Sequence, residues 1–257
     1  MQKSVVALFL LLAGAVASAQ APGGGRAVPP PVVEPELPAS DLLVRYQSPT
    51  LRFRWSLAPE AALEPALVRD LRSTALANRE RAIRAADATA EAAAKTGRPA
   101  GRPLQSEWIE RWVPQAETDL LLALSAQQYS FTGGAHGNLV LKSVLWDRGE
   151  NRRITFLELF ADPKAMLAAL KPLFCNALDE ARKSRRDGEL GEGFADCPDP
   201  SAYPIVPEGE GQIDRIRILV PPYEAGPWVE GVYEISLPAA VVRPYLLPRY
   251  NSVFTAP

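Results

Sequence analysis

The stretch Ser130-Phe131-Thr132-Gly133-Gly134-Ala135-His136-Gly137-Asn138 lies between two apolar runs, one beginning at Leu120 and one spanning Leu139 to Trp146. This arrangement leaves the chain few options. Two apolar strands separated by a short glycine-rich segment fold back on each other, and the glycines permit positive φ and close backbone approach. The first run is almost wholly apolar at its start, which predicts burial on both faces. The segment also carries the only histidine of the chain.

Similar periodicities run through the rest of the sequence. Leu51, Phe53, Trp55 and Leu57 alternate with Arg52, Arg54 and Ser56, the pattern of a half-buried strand. Residues 60–95 read as helix, with Leu63, Leu67 and Leu71 four apart. Beyond Asn78 this helix turns rich in Ala, Arg and Glu, so it projects into solvent or rests lightly on the body. Gly97 to Pro103 should form the loop that follows it. Trp108, Glu110 and Trp112 alternate with Ile109, Arg111 and Val113 in a further strand. After Ile154 to Phe160, Asp162 is placed to cap a helix with Pro163 at its first position. Met166, Leu170, Phe174 and Leu178 form its apolar stripe, and Pro172 is expected to kink or divide it. Arg182 to Arg186 give it a basic C-terminal end, favourable for the helix dipole. Residues 187–211 read as irregular. Two strands around Ile216–Val220 and Tyr233–Leu237 follow, then a short helix at 239–247. Strands in clusters with helices inserted between them predict an α+β fold, a largely antiparallel sheet in one compact unit of two intertwined subdomains.

The N-terminus reads as a secretory signal: Lys3, an apolar core from Val5 to Leu12, and Ala17-Ser18-Ala19 before Gln20, with cleavage between Ala19 and Gln20. An uncleaved anchor is the alternative, against which the apolar stretch falls short of the roughly 20 residues of a spanning helix. The expected organisation is a signal peptide at 1–19, a Pro/Gly-rich linker at 20–41, α+β subdomains at 42–160 and 161–250, and a tail at 251–257. This places the mature protein in the periplasm or outside the cell. Cys175 and Cys197 are an even pair in an oxidising compartment, which favours a disulfide over two free buried thiols. It would close a loop of about 20 residues and stabilise by roughly 3 kcal/mol in the chain-entropy model.

The formal charge is −2, which points to no nucleic-acid partner. Its distribution is uneven: residues 69–102 hold eight basic and four acidic side chains, residues 187–234 eleven acidic and two basic. These are two solvated faces, or the second is an acidic surface suited to a basic partner. A single imidazole cannot build the usual zinc set, and no His-x-x-x-His or Glu-x-x-His spacing exists, so no metal or other cofactor is expected. His136 is left with a structural, a binding or a catalytic role. A catalytic role would need a nearby carboxylate such as Asp147 or Glu224. Gly133-Gly134 lacks the Lys-Ser/Thr of a phosphate loop. Tyr223 and Trp228 flank Gly226-Pro227, a turn on which aromatics stack against a sugar or a protein, or close the end of a core.

Three segments together resemble a known family: Tyr129 to Gly137, Leu157-Glu158-Leu159-Phe160, and Pro221-Pro222-Tyr223-Glu224-Ala225-Gly226-Pro227 with Ile235-Ser236-Leu237-Pro238. They are similar to the paired domains of unknown function in the lysozyme-sensing anti-sigma factor RsiV and in the non-catalytic N-terminal part of the peptidoglycan deacetylase PdaC. Phe174-Cys175 and Cys197-Pro198 resemble a secreted Gram-negative branch with a cysteine pair at these places. The resemblance spans about residues 42–250. It implies an extracytoplasmic module at the cell envelope, without the anti-sigma segment or the deacetylase domain. The function expected is therefore binding, with a lysozyme-like protein or peptidoglycan as partner. The binding residues expected are Thr132, Gly133, Gly134, His136, Tyr223, Glu224 and Trp228. The competing readings are a hydrolase acting on wall glycan, or an enzyme associated with deacetylation, and a passive assembly partner in an envelope complex.

Overall fold

The structure, a computed structural model, describes residues 41–95, 105–188 and 193–256. The signal peptide, the Ala19–Gln20 cleavage site, the linker and most of the loop after the long helix lie outside the described residues. Strands β1 (Leu43–Gln47) and β2 (Leu51–Ser56) form a hairpin, followed by helix α1 (Pro65–Lys95). Then come β3 (Ser106–Glu117), β4 (Leu121–Phe131), β5 (Asn138–Asp147) and β6 (Arg152–Ile154). Helix α2 (Pro163–Arg185) precedes β7 (Ile205–Glu210), β8 (Arg215–Val220) and β9 (Tyr233–Pro238). The fold is α+β, with one mixed, mostly antiparallel sheet that curls into a half-barrel.

The sheet forks at β3. Its first half pairs in parallel with β2, from Leu51 opposite Ser106 to Ser56 opposite Arg111. Its end pairs in parallel with β7, Ala116 opposite Gly209 and Glu117 opposite Glu210. Between the two branches the register of β3 against β4 shifts from Pro114 to Ala116. Proline has no N–H to give to a ladder, so a sheet passes it at a bulge or an edge. Pro114 therefore sits where one partner strand has ended and the next has not begun.

The apolar start of β4 is buried on both faces, as its composition requires. Leu121 and Ala123 belong to a core built on α2 and β7–β9. Leu122, Leu124 and Ala126 belong to a second core with Phe53, Trp55, Trp112, Trp146 and the α1 residues Leu67 and Leu71. On α2, Met166, Leu170, Phe174 and Leu178 are all buried, and Asp162 caps the helix by accepting from the Ala165 N–H at 2.9 Å. The disulfide Cys175–Cys197 is formed, with its Cα atoms 5.4 Å apart. Near the end of the chain Phe254 is buried and bridges to Ile213.

Four local expectations are corrected. The helix expected from Glu60 begins only at Pro65. Pro59–Leu63 is a 3₁₀ turn, and Leu63 is 74% exposed although it continues the Leu67–Leu71 spacing. Pro172 does not divide α2. It lies on the exposed side of a helix that runs unbroken through it, while the buried stripe continues on either side. Within the supposedly irregular 187–211, Ile205–Glu210 is a strand, whose Pro207 and Gly209 obscure its apolar alternation. The expected helix at 239–247 is two 3₁₀ turns, Ala239–Val241 and Arg243–Tyr245, the second carrying Pro244. Beyond Asn78 α1 touches the body lightly: Ala86 is buried, and Asp87 accepts from the Thr50 hydroxyl at 2.8 Å.

Candidate functional site

The glycine–histidine segment is the tip of the β4–β5 hairpin. Gly133 and Gly134 hold φ of 107° and 106°, a region closed to side chains with a Cβ, and so make the bend. Gly137 is required for another reason: a Cβ there would run into the ring of Tyr129 on the facing strand. That ring lies against Gly137, and His136, the residue before it, is exposed at the tip.

His136 meets a turn that lies far along the chain. Its Nδ1 is 2.8 Å from the Gly137 carbonyl, which can only accept, so Nδ1 carries a proton. Its Nε2 is 3.1 Å from the Tyr223 hydroxyl. A neutral imidazole accepts that O–H, and a protonated one donates to the same oxygen. The imidazole also stacks on Trp228, with centroids 4.3 Å apart and planes within 13°. Such a pair is worth about 0.5–1.5 kcal/mol beyond its area burial. These three side chains form a clasp between the hairpin tip and the turn after β8.

The turn is held in shape from beneath. Tyr223 has φ of 72°, a strained value for a tyrosine, and its N–H donates to the Gly226 carbonyl at 2.8 Å. Arg182 and Arg186 at the end of α2 both donate to the Ala225 carbonyl, at 3.0 and 3.1 Å. Arg186 forks onto Glu230 at 2.8 and 2.9 Å, which holds the Glu230 carboxyl below its ordinary range. Glu230 also accepts from the Tyr233 hydroxyl. Glu224 accepts from the Tyr203 hydroxyl at 3.0 Å. Burial, and then this carboxylate, push the Tyr203 phenol up to about 12.

Of the expected site residues, His136, Tyr223 and Trp228 are brought into direct contact. Thr132, Gly133 and Gly134 form the bend of the hairpin beside them, and Glu224 follows Tyr223 but faces Tyr203. Neither carboxylate weighed as a catalytic partner reaches the imidazole. Asp147 is buried at the opposite end of β5, bonded to the Tyr250 hydroxyl at 2.6 Å. The length of β5 alone separates it from Asn138 by roughly 30 Å. Among the described residues no group of three or more His, Cys, Asp and Glu is placed to hold a metal ion.

Sequence reasoning missed Arg182, Arg186, Glu230 and Tyr203, which support the turn. The available signal was the basic cluster ending α2 together with the acidic surplus downstream. The structure uses one to neutralise part of the other, since Arg186 pairs with Glu230; Arg217 of β8, within the acidic segment, pairs with Glu208 and Glu234.

No protein-family model matches the chain, and no curated protein sequence matches it significantly. Solved structures do. A DUF3298 family protein from Pseudomonas aeruginosa PAO1 superposes with a TM-score of 0.50 at 16% identity, covering 84% of this chain and 95% of that one. A member of the same family from Bacteroides fragilis NCTC 9343 gives a TM-score of 0.50 at 18% identity, covering 78% of this chain and 85% of that one. At these identities the likeness is one of fold. The chain has the fold of these DUF3298 family proteins.

Proposed function

We propose that this protein is an exported binding module of the cell envelope and that the His136–Tyr223–Trp228 clasp is the centre of its contact surface. The observation that carries this reading is the convergence of two loops, one from each end of the family resemblance, on a cluster of rings. Tyr223 remains 53% exposed, and Val229 beside it 85% exposed. Rings already fixed by stacking and by a braced turn lose little conformational entropy when a partner covers them. Backbone strain at an exposed tyrosine, held by surrounding contacts, is typical of positions kept for recognition.

The partners in view are peptidoglycan and a lysozyme-like muramidase. The ion pairs of Glu208, Glu230 and Glu234 reduce the acidic surplus available to a basic protein. The disulfide suits an oxidising compartment, here the periplasm or the exterior. Among the described residues no helix is long and apolar enough to cross a membrane.

The test is retention of the signal-cleaved protein on purified sacculi and on immobilised lysozyme, compared with Trp228→Ala and Tyr223→Ala. The expected result is retention on one matrix, weakened in both variants while melting behaviour is preserved. Retention on neither matrix removes the reading, and retention unchanged by both substitutions moves the contact surface elsewhere. Release of soluble product from sacculi, lost in His136→Ala, would replace binding by hydrolysis.

A further inference from the structure

Because β3 gives one edge to both β2 and β7, the β7–β9 branch lies over the middle of β4 and β5, and two hollows remain in the gap. The first, about 290 Å³, has Ser125 and Gln127 on one side and Arg217, Leu219 and Glu234 on the other. The second, about 390 Å³, is lined by Ser143, Tyr203 and Val206. Ser125 is the cross-strand partner of Ser143, and Val206 that of Arg217, so the hollows adjoin along both walls. Each is at the small end of the range for small-molecule sites.

The chemistry of this gap is selective. The ionic side chains that line it are already engaged: Arg217 pairs with Glu234 at 2.7 Å and with Glu208, Arg153 with Asp70 at 2.9 Å, Glu158 with Arg152 at 2.9 Å, and Arg111 also has a partner. The side chains of Ser125, Gln127 and Ser143 make no hydrogen bond to any described residue. A hydroxyl and a primary amide each both donate and accept. An anionic or cationic ligand would have to compete with these existing pairs for its counter-charge. A purely apolar one would cover the hydroxyls and the amide and leave them unpaired, which opposes binding. Hydroxyl and acetamido groups, which also both donate and accept, fit them. Val113 and Leu219 offer the apolar patches against which the C–H face of a sugar ring lies.

We propose that this gap is a slot for an uncharged N-acetylated amino-sugar strand, with Ser125, Gln127 and Ser143 as its hydrogen-bonding residues and the His136–Tyr223 contact as the catch at its end. The proposal rests on the envelope-binding reading of the clasp and names the chemistry of what lies beneath it. From Gln127 the β4–β5 arm runs on to His136, and from Leu219 the chain runs on to Tyr223. The two walls therefore meet at the clasp. Tyr203, which lines the second hollow, is bonded to Glu224, the neighbour of Tyr223. Filling the slot thus bears on the turn that carries half of the catch.

The probe is the β-1,4-linked tetramer of N-acetylglucosamine, titrated into the signal-cleaved protein by calorimetry and by amide NMR. Saturable binding is expected, with shifts at Gln127, Ser143 and Tyr223. The double variant Gln127→Ala/Ser143→Ala should lose at least about tenfold in affinity while keeping its melting temperature. No binding by the native protein overturns the slot, as does a double variant that binds within about twofold. Sacculus retention separates this from failure of the parent reading. Clasp-dependent retention without tetramer binding leaves the envelope module and removes the slot. Tetramer binding without retention on sacculi or lysozyme keeps the slot and removes the clasp as the envelope contact.

Discussion

Arg182 is wholly buried, at 0% exposure, although it belongs to the basic end of α2. Its guanidinium donates to Asp179 at 3.0 Å and to the carbonyls of Ala225 at 3.0 Å, Asp196 at 3.0 Å and Ala195 at 3.4 Å. One side chain thereby ties the helix to the disulfide loop and to the turn that bears Tyr223 and Trp228. Arg182→Met keeps much of the aliphatic stem and removes every donor. Breaking a buried ion pair from one side costs about 3–5 kcal/mol. Two features of this site lower that figure: Asp179 is a third exposed and regains water, and the Ala225 carbonyl keeps Arg186. The carbonyls of Ala195 and Asp196 lose their arginine partner, at the low end of about 1–3 kcal/mol each because both residues are exposed and water can reach them. We therefore expect a loss of about 3 kcal/mol, or a melting temperature lower by about 6–12 °C in a domain of this size. Urea unfolding of the oxidised protein, followed by circular dichroism, measures it. Amide exchange across Ala225 to Gly231 should accelerate with it. The control is Arg185→Met, whose bonds to the carbonyls of Glu230 and Val232 lie at the surface and whose loss should cost less than about 1 kcal/mol. If Arg182→Met is within about 0.5 kcal/mol of the native protein, the brace attributed to it is wrong.

Three further outcomes are expected. Leu67→Ala should cost about 2–5 kcal/mol because Leu67 is fully buried. Leu63→Ala, at the preceding position of the same spacing, should stay within about 0.5 kcal/mol; equal losses in chemical denaturation would contradict the corrected helix start. Gly137→Ala should cost about 1–3 kcal/mol and move the Tyr129 ring resonances, since the new methyl occupies the place of that ring. Gly134→Ala meets no neighbouring atom and is strained only through its φ of 106°, so it should cost stability without the direct ring clash that displaces Tyr129. The Glu158 carboxyl should titrate near 2, held down first by the Thr155 N–H and then by Arg152. Its folded value lies below the ordinary 4.5, so its contribution to stability is complete above about pH 4.5 and lost as the pH falls toward 2. Carboxyl NMR reads the midpoint directly, and a value near 4.5 would refute the bond that the Glu158 carboxylate accepts from the Thr155 N–H at 2.6 Å.

Much of the fold was legible because burial leaves a local period. The alternation of Leu51, Phe53 and Trp55, the two-sided apolar start of β4, and the Met166–Leu178 stripe each report which face of an element meets a core, and each element formed where its period placed it. The Asp162 cap and the Cys175–Cys197 pair were legible for similar reasons, the cap being local and the pair having no other cysteine to choose. The period misled where a proline or the path of the chain overrode it. Leu63 continues a helical spacing but precedes Pro65, and β7 is interrupted in pattern by Pro207 and Gly209. The candidate site divides along the same line. The glycines of the hairpin tip and the aromatics of the turn stand out as residues with local work to do. That His136 bonds Tyr223, 87 positions away, follows from the fork of β3 and the lie of its second branch over β4 and β5, which no local period encodes. The sequence by itself determined most of the elements, their buried faces and the two loops proposed as the contact surface. Tertiary structure alone decided that the loops meet, that Arg182 goes inside to brace one of them, and that a polar gap is left beneath, because those outcomes depend on pairing between distant segments.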